Sequence, residues 1–266
     1  MTRRSLLHSL KYVSDASQTI LTLMSMRLVR EAIRGILHEA AGAAKIDQLI
    51  DNVVDLNSRF ESDPNLVERG ISLKLGIRLR PRGDSTVFDF ALQSVSGESR
   101  KLYGSAAAHF SGSLFDPKFA LRSLIPKGEI KIVPNNDDTG PCAGAWVVEY
   151  TMPTTSGWGP LLYDLAIEWA TTAGGGLASD RSIVSWTALE VWKKYDTSRA
   201  DVEKTQLDDL KNVLTPEQED NCRQDSALDY ERGLDDNFVD SPLSRAYRKP
   251  PTTMNRLKNL GLLWEV

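Results

Sequence analysis

The chain reads Trp146-Val-Val-Glu-Tyr-Thr-Met152, then Thr154-Thr-Ser-Gly-Trp-Gly-Pro160, then Leu161-Leu-Tyr-Asp-Leu-Ala-Ile-Glu-Trp-Ala170, then Gly176-Leu-Ala-Ser179, then Trp186-Thr-Ala-Leu-Glu-Val-Trp-Lys-Lys-Tyr195. The spacing of the apolar residues and the glycines between the runs predict a strand, a glycine loop, a helix, a short strand and a second helix.

The predicted loop carries two glycines, Gly157 and Gly159, directly before Pro160. Glycine adopts backbone angles closed to other residues, and proline suits the first turn of a helix because its missing N–H would have no partner there. Such a helix start has partial positive charge and unpaired N–H groups, which suit a phosphate or pyrophosphate. A lone Gly-x-Gly favours the alternative, a tight turn with nothing bound, but the surrounding order of elements supports anion binding.

These residues resemble the acyl-CoA-binding core of the GNAT acetyltransferase family, in which a strand leads into the loop Arg/Gln-x-x-Gly-x-Gly/Ala at a helix start. Gly157 and Gly159 match that pattern, and the resemblance covers residues 70 to 196. It implies a GNAT-like fold, with acetyl-CoA as the cofactor and with Ser156, Gly157, Trp158 and Gly159 as the residues that bind it.

The chain departs from the family at two positions that matter for activity. Thr154 stands where the family has Arg or Gln, so the side chain that would pair with a phosphate is absent. Trp192 stands where the family motif Asn-x-x-Ala-x-x-x-Tyr has a Tyr that protonates the CoA thiolate, and an indole N–H is not acidic enough for this. Tyr195, about 60° away around the helix, is the remaining catalytic candidate.

Composition narrows the classes of function. The 266 residues carry a net charge of −4, which gives no reason to expect a nucleic-acid partner. Three scattered histidines and two distant cysteines argue against a metal site, and we expect Cys142 and Cys222 to be free thiols in a cytoplasmic protein. No signal peptide or membrane-spanning segment is visible, so no membrane partner is expected.

Residues 1 to 68 are predicted to be an N-terminal helical segment. Apolar residues recur at three- and four-residue steps from residue 21 to 40 and again from 44 to 60. The two helices either pack on their own domain or contact other protein subunits, and we predict the subunits as partners. Residues 28 to 40 also resemble short segments near the start of tailed-bacteriophage virion proteins, which implies a phage origin.

Residues 69 to 266 are predicted to form one GNAT-like domain. Strict alternation from Ile71, a turn at residues 81 to 84 and a second alternating run indicate a β-hairpin, and a third strand is expected near residues 101 to 110. A helix over residues 252 to 260 and an edge strand over 262 to 266 end the chain. The fold class is therefore α/β (α+β), with a mixed, mostly antiparallel sheet, flanking helices and the N-terminal helical extension.

Four acidic features are each given a structural interpretation. Asp164 and Glu168 lie one helical turn apart and could form a carboxylate pair, but a solvated helix face is the favoured interpretation. Asp180-Arg181-Ser182 and the run 135 to 140 are interpreted as turns rather than as sites. Residues 196 to 240 are rich in acidic groups and poor in large apolar ones, which favours an extension that wraps the surface.

Three hypotheses about function follow, of which the third is a binding module that keeps CoA or another nucleotide without turning it over. The first is a non-catalytic or weakly active GNAT-like protein that acts as a structural or interaction component of a tailed-phage virion and requires no cofactor. Its synthesis would be in the bacterial cytoplasm. The alternative is an N-acetyltransferase that moves the acetyl group of acetyl-CoA to an amine. The two departures from the family pattern weaken the second hypothesis without removing it, so the sequence leaves open whether the chain is an enzyme.

Overall fold

The computed structural model describes residues 44–68, 70–96, 99–104, 126–135, 142–152, 155–207 and 241–266. The predicted helix over residues 21 to 40, the phage-like segment 28 to 40, residues 105 to 110 of the predicted third strand, Thr154, the run 136 to 140 and residues 208 to 240 all lie outside these ranges.

The described helices lie at the start, in the middle and at the end of the chain. In chain order they are α1 (residues 44–62), α2 (Pro64–Glu68), α3 (Gly159–Ala173), α4 (Trp186–Ser198) and α5 (Thr252–Asn259), with a 3-10 turn at Pro242–Ser244. Pro160 occupies the first turn of α3 and Ser185 caps α4, where its hydroxyl oxygen accepts the Ala188 amide hydrogen at 3.2 Å. Local sequence signals therefore place both middle helices.

The described strands form one sheet of nine. They are β1 (Ile71–Arg82), β2 (Ser85–Ser96), β3 (Ser99–Gly104), β4 (Glu129–Pro134), β5 (Trp146–Met152), β6 (Leu177–Ala178), β7 (Glu203–Gln206), β8 (Arg245–Arg248) and β9 (Leu263–Glu265). Their order across the sheet is β7-β8-β6-β5-β4-β2-β1-β9, and β3 also pairs with β2. The pairs β5/β6 and β1/β9 are parallel and the other pairs are antiparallel. The predicted fold class, a mixed and mostly antiparallel sheet with flanking helices, is confirmed.

The sheet buries one face under helices. The inward side chains of the β1/β2 hairpin meet the apolar side chains of α1 and α3 in a single core, as the period-two pattern predicts. The core members contributed by these four elements include Ile46, Ile50, Val53, Phe60, Leu75, Ile77, Phe88, Phe90, Leu161, Leu165 and Ile167. The apolar stripe of α1 is therefore buried within the chain itself.

Asn57 fastens α1 to the sheet. Its side-chain amide donates to the Leu75 carbonyl at 3.0 Å and its oxygen accepts the Leu75 amide hydrogen at 2.6 Å. Leu75 lies two residues before Ile77, where the pairing of β1 with β9 begins. The Asn57 side chain thus satisfies backbone groups of β1 beyond the end of its partner strand.

Three strands were not predicted, because each is short or hidden among turn-forming residues. β4 lies in a proline-rich region, and β7 and β8 have four residues each. β7 corrects the interpretation of residues 196 to 240 as a surface extension, since residues 196 to 207 complete α4 and add a strand to the sheet.

Cys142 is disulfide-bonded, which corrects the expectation of a free thiol. The chain's other cysteine, Cys222, lies outside the described residues. Cys142 itself is fully buried and packs with Ala178, Leu207 and Ala246 in a small second cluster.

Candidate functional site

The glycine loop lies between β5 and α3, as predicted. Thr155 ties it to the chain ahead of β4, since its amide donates to the Lys127 carbonyl and its hydroxyl accepts the Lys127 amide hydrogen, both at 2.8 Å. The Trp158 amide donates back to the Thr155 carbonyl at 3.1 Å and closes a tight turn. Gly157 within that turn has φ +89°, a conformation that side chains other than glycine rarely adopt.

The loop is exposed, but the Trp158 side chain packs against the core. Ser156 and Gly157 are exposed, and a Cβ atom added at Gly157 would meet nothing within 4 Å. Trp158 is half-buried, and its ring packs edge-on against Phe90 with 5.6 Å between the ring centroids. Trp158 also precedes α3 without capping it, because its side chain makes no hydrogen bond to the first turn. The first turn of α3 therefore has no side-chain cap.

The parallel strands next to the loop, β5 and β6, pair over a short length only. β5 pairs with β6 only at Trp146 and Val147, whereas it pairs with β4 as far as Met152. From Val148 to Met152, no other described strand lies on the second side of β5. The loop and this open edge are adjacent, since β5 leads directly into the loop.

The two aromatic residues of α4 that the resemblance singles out are buried. Trp192 is 1% exposed and stacks on Tyr247 with 5.1 Å between centroids, while the Tyr163 ring meets it edge-on at 5.4 Å. Tyr195 is 2% exposed, and burial together with the charge of Asp164 raises its pKa well above the usual value of 10. Both side chains pack beneath the start of α3 and away from solvent.

The interpretation of Asp164 and Glu168 as part of a solvated helix face is wrong, because both carboxylates are fully buried. Lys249 lies between them and its Nζ donates to Asp164 and, at 2.7 Å, to Glu168. The Arg199 guanidinium donates to the other Asp164 oxygen at 2.7 Å and to Asp201 at 2.6 Å. We call Asp164, Glu168, Arg199, Asp201, Lys249 and Thr253 the ionic cluster.

Glu168 also caps another helix. Its two oxygens accept the amide hydrogens of Thr253 at 2.8 Å and Met254 at 2.7 Å, in the first turn of α5. The ionic cluster holds three carboxylates against two cations, and the positive end of α5 offsets part of that excess negative charge. The carboxylates of α3 thus hold the C-terminal segment in place and do not face a ligand.

Asp201 gives the ionic cluster a pH dependence. Burial raises the Asp201 pKa, but the hydrogen bonds and charge of Arg199 and the charge of Lys249 outweigh it and bring the pKa below 3.8. The folded chain therefore takes up this proton less readily than the unfolded chain. The stability that Asp201 contributes is present above the unfolded pKa of about 3.9 and is lost as the pH falls through the lower folded value.

We expect the Asp201→Asn variant to lose less stability than the wild type on acidification below about pH 4. Urea unfolding midpoints measured across the acid range check this. Glu203→Gln, which changes an exposed carboxylate of β7, is the matched control and should follow the wild-type acid slope. If the urea midpoint of Asp201→Asn fell with pH as steeply as that of the wild type, Asp201 would not contribute this pH dependence.

The opposite face of the sheet carries a second set of paired charges. Arg78 donates twice to the fully buried Asp89, at 3.1 and 2.9 Å, and Arg80 donates to Glu129 at 2.8 Å. The Tyr150 hydroxyl donates to Glu129 at 2.6 Å, and this hydrogen bond, with burial, raises the Tyr150 pKa to about 12. Tyr150 therefore stays protonated at neutral pH, and Glu129 is already engaged by two donors.

The structure brings some of the predicted site residues together. Ser156, Gly157, Trp158 and Gly159 form the loop, and Tyr195 lies under its helix end, while Thr154 is outside the described residues. Sequence analysis missed Lys249, Arg199 and Thr253. Lys249 follows Arg248 and precedes Pro250-Pro251, and this pattern does not indicate a site. Asp180 forms the predicted turn, in which its Oδ1 accepts the Ser182 amide hydrogen at 2.8 Å.

No family model, curated protein or solved structure matches the chain. In the described ranges, His, Cys, Asp and Glu residues form no group of three or more that could hold a metal ion. The helices of the same ranges include none with the length and apolar character needed to cross a bilayer.

Proposed function

We propose that the chain is a non-catalytic or weakly active GNAT-like protein that works as a structural or interaction component. The proposal rests on the burial and hydrogen bonding of the groups near the loop that could transfer a proton. Tyr195, Asp164 and Glu168 are buried and hydrogen-bonded to protein partners, and Trp192 is buried between aromatic rings. A chain that keeps the architecture but engages these groups in packing fits an interaction role.

The family assignment within this proposal has two supports. One is the order strand β5, glycine loop, α3, β6 and α4, which is the order of the family's acyl-CoA-binding unit. The other is the short pairing of β5 with β6, which leaves the part of β5 nearest the loop without a described strand on that side.

The proposed location is a tailed-bacteriophage particle, reached after synthesis in the bacterial cytoplasm. This part of the proposal rests on residues 28 to 40 of the sequence. Because the apolar stripe of α1 is buried within the chain, the proposed contact with other subunits is assigned to residues 21 to 40.

Mass spectrometry of purified particles of the encoding phage tests the location. We expect peptides of this chain to copurify with the virion in a fixed ratio to the other virion proteins. Detection in the infected-cell lysate but not in washed particles would contradict the proposal.

The second candidate function is an acetyl-CoA-dependent N-acetyltransferase acting on an amine. The observation that favours it is the uncapped start of α3 beside the open edge of β5. Acetyl-CoA would supply the acyl group, and the backbone of Ser156, Gly157, Trp158 and Gly159 would bind its pyrophosphate. Positioning of the two reactants would have to supply much of the rate, since Tyr195, Asp164 and Glu168 are buried and hydrogen-bonded to protein partners.

Calorimetric titration with acetyl-CoA separates the two functions. The variant Gly157→Ala is compared with Gly83→Ala, because both glycines have positive φ and open surroundings but only Gly157 lies in the loop. Acetyl-CoA binding that Gly157→Ala weakens and Gly83→Ala preserves, with CoA thiol release on adding an amine, would establish the transferase. Absence of thiol release with a panel of primary amines is the result expected from the first proposal.

A further inference from the structure

Tyr195 is placed by the packing of its ring. The ring lies in α4 between Trp192 and Tyr247, at centroid distances of 6.4 and 6.3 Å, and the Arg199 guanidinium lies 5.1 Å from its centre. Arg199 is itself held by Asp164 and Asp201, so the ring is fixed to the ionic cluster. A side chain packed on several sides by rings and ion-paired groups has one rotamer available.

The Tyr195 hydroxyl points at the first turn of α3. It donates to the Pro160 carbonyl at 3.1 Å and lies 3.4 Å from Asp164 Oδ1. Pro160 directly follows Gly159, the last residue of the glycine loop. The hydrogen bond therefore connects a rigid, buried side chain to the backbone at the exit of an exposed loop.

We propose that Tyr195 is a positioning residue, which fixes the glycine loop to the ionic cluster through the Pro160 carbonyl, and that it is not a proton donor to a ligand. A proton donor has to contact the reacting atom, whereas this hydroxyl faces a carbonyl and a carboxylate of its own chain. The positioning role of Tyr195 rests on the proposed function only in the test that measures acetyl-CoA binding.

The protonation state of Tyr195 agrees with this role. Burial and the charge of Asp164 raise its pKa well above 10, so the hydroxyl keeps its hydrogen throughout the neutral range. The hydrogen bond to Pro160 is therefore expected to be independent of pH near neutrality.

The chain offers a matched control for the test. Tyr247 is also buried, and its hydroxyl donates to the Pro242 carbonyl at 2.7 Å, far from the glycine loop along the chain. Tyr195→Phe and Tyr247→Phe each remove one buried hydroxyl that donates to a proline carbonyl while keeping the ring. We expect the two variants to lose similar amounts of overall stability. A difference in amide hydrogen exchange at the loop would therefore show that Tyr195 positions the loop.

Amide hydrogen exchange provides the ligand-free readout. The Trp158 amide donates to Thr155 and the Leu161 amide to Trp158, at 3.1 and 3.2 Å, so both amides report the loop conformation. After correction for global stability, we expect about fivefold to tenfold faster exchange at these amides in Tyr195→Phe, the factor expected for one lost hydrogen bond. Tyr247→Phe should retain wild-type rates. Equal rates in the two variants would overturn the proposal.

Acetyl-CoA titration of the same proteins gives a second readout. We expect the dissociation constant to rise about fivefold in Tyr195→Phe and to stay unchanged in Tyr247→Phe. If the wild type binds no acetyl-CoA, the proposed ligand fails while hydrogen exchange still decides the role of Tyr195. If the wild type transfers acetyl groups and Tyr195→Phe lowers only the rate of transfer, with unchanged exchange and binding, then Tyr195 is the proton donor and the positioning role is wrong.

Discussion

Replacing Lys249 with methionine is expected to lower the free energy of unfolding by about 3–5 kcal/mol, because it leaves the buried Glu168 carboxylate without its cation and Asp164 with Arg199 alone. Lys249 is 4% exposed and its Nζ donates to Asp164, Glu168 and the Thr253 hydroxyl. Methionine keeps most of the aliphatic stem, so the loss reports charge and hydrogen bonding more than packing. Urea unfolding at pH 7 measures it.

The control for Lys249→Met is Lys193→Met. Lys193 pairs with Glu190 at 2.9 Å on the exposed face of α4, and exposed pairs contribute only about 0–1 kcal/mol. Adding Glu168→Gln to the Lys249→Met variant should restore part of the lost stability. A loss no larger than that of Lys193→Met would show that the ionic cluster does not stabilise the fold.

Local periodicity was enough to predict the long elements of the fold. The alternating runs on either side of Gly83 became the β1/β2 hairpin, and Pro160 and Gly174 bound the helix that the apolar run predicts. Strands as short as β7 and β8 carry too few residues for a periodic signal. Their pairing is determined by neighbours that are distant in sequence, such as Leu177 opposite Tyr247.

The ionic cluster is the part of the candidate site that could not be predicted from the sequence. Asp164 and Glu168 could be placed on one face of a helix that is apolar nearly all round, which left their partners unspecified. The partner Lys249 lies more than 80 residues later in the sequence, on a segment without a recognisable motif. The charges of α3 and of the C-terminal segment are complementary only once the sheet brings them together, so a solvated face was the wrong interpretation.

Replacing Gly174 with alanine is expected to lower the free energy of unfolding by about 3 kcal/mol, because the added methyl group has no space. A Cβ atom at Gly174 would lie 2.2 Å from the Gly144 carbonyl oxygen and 3.3 Å from the Gly144 carbonyl carbon. The obstacle is backbone, so the strain can be relieved only by moving the segment that precedes β5. That segment is held in place by the hydrogen bond from the Gly175 amide to the Gly144 carbonyl at 2.7 Å and by the one from the Trp146 amide to the Gly176 carbonyl at 2.8 Å.

Gly83→Ala is the matched control for Gly174→Ala, since it also adds one methyl group to a glycine between two elements. A Cβ atom at Gly83 meets nothing within 4 Å, so this variant should lose only the roughly 1–2 kcal/mol that a non-glycine residue costs at positive φ. Urea unfolding ranks the two variants, and amide exchange at Gly175 and Trp146 should accelerate only in Gly174→Ala. Because these two hydrogen bonds connect the end of α3 to the start of β5, their loss would also loosen the short β5/β6 pairing. Equal losses in the two variants, with unchanged exchange at Gly175, would show that the close approach of Gly174 to Gly144 is not a constraint on this fold.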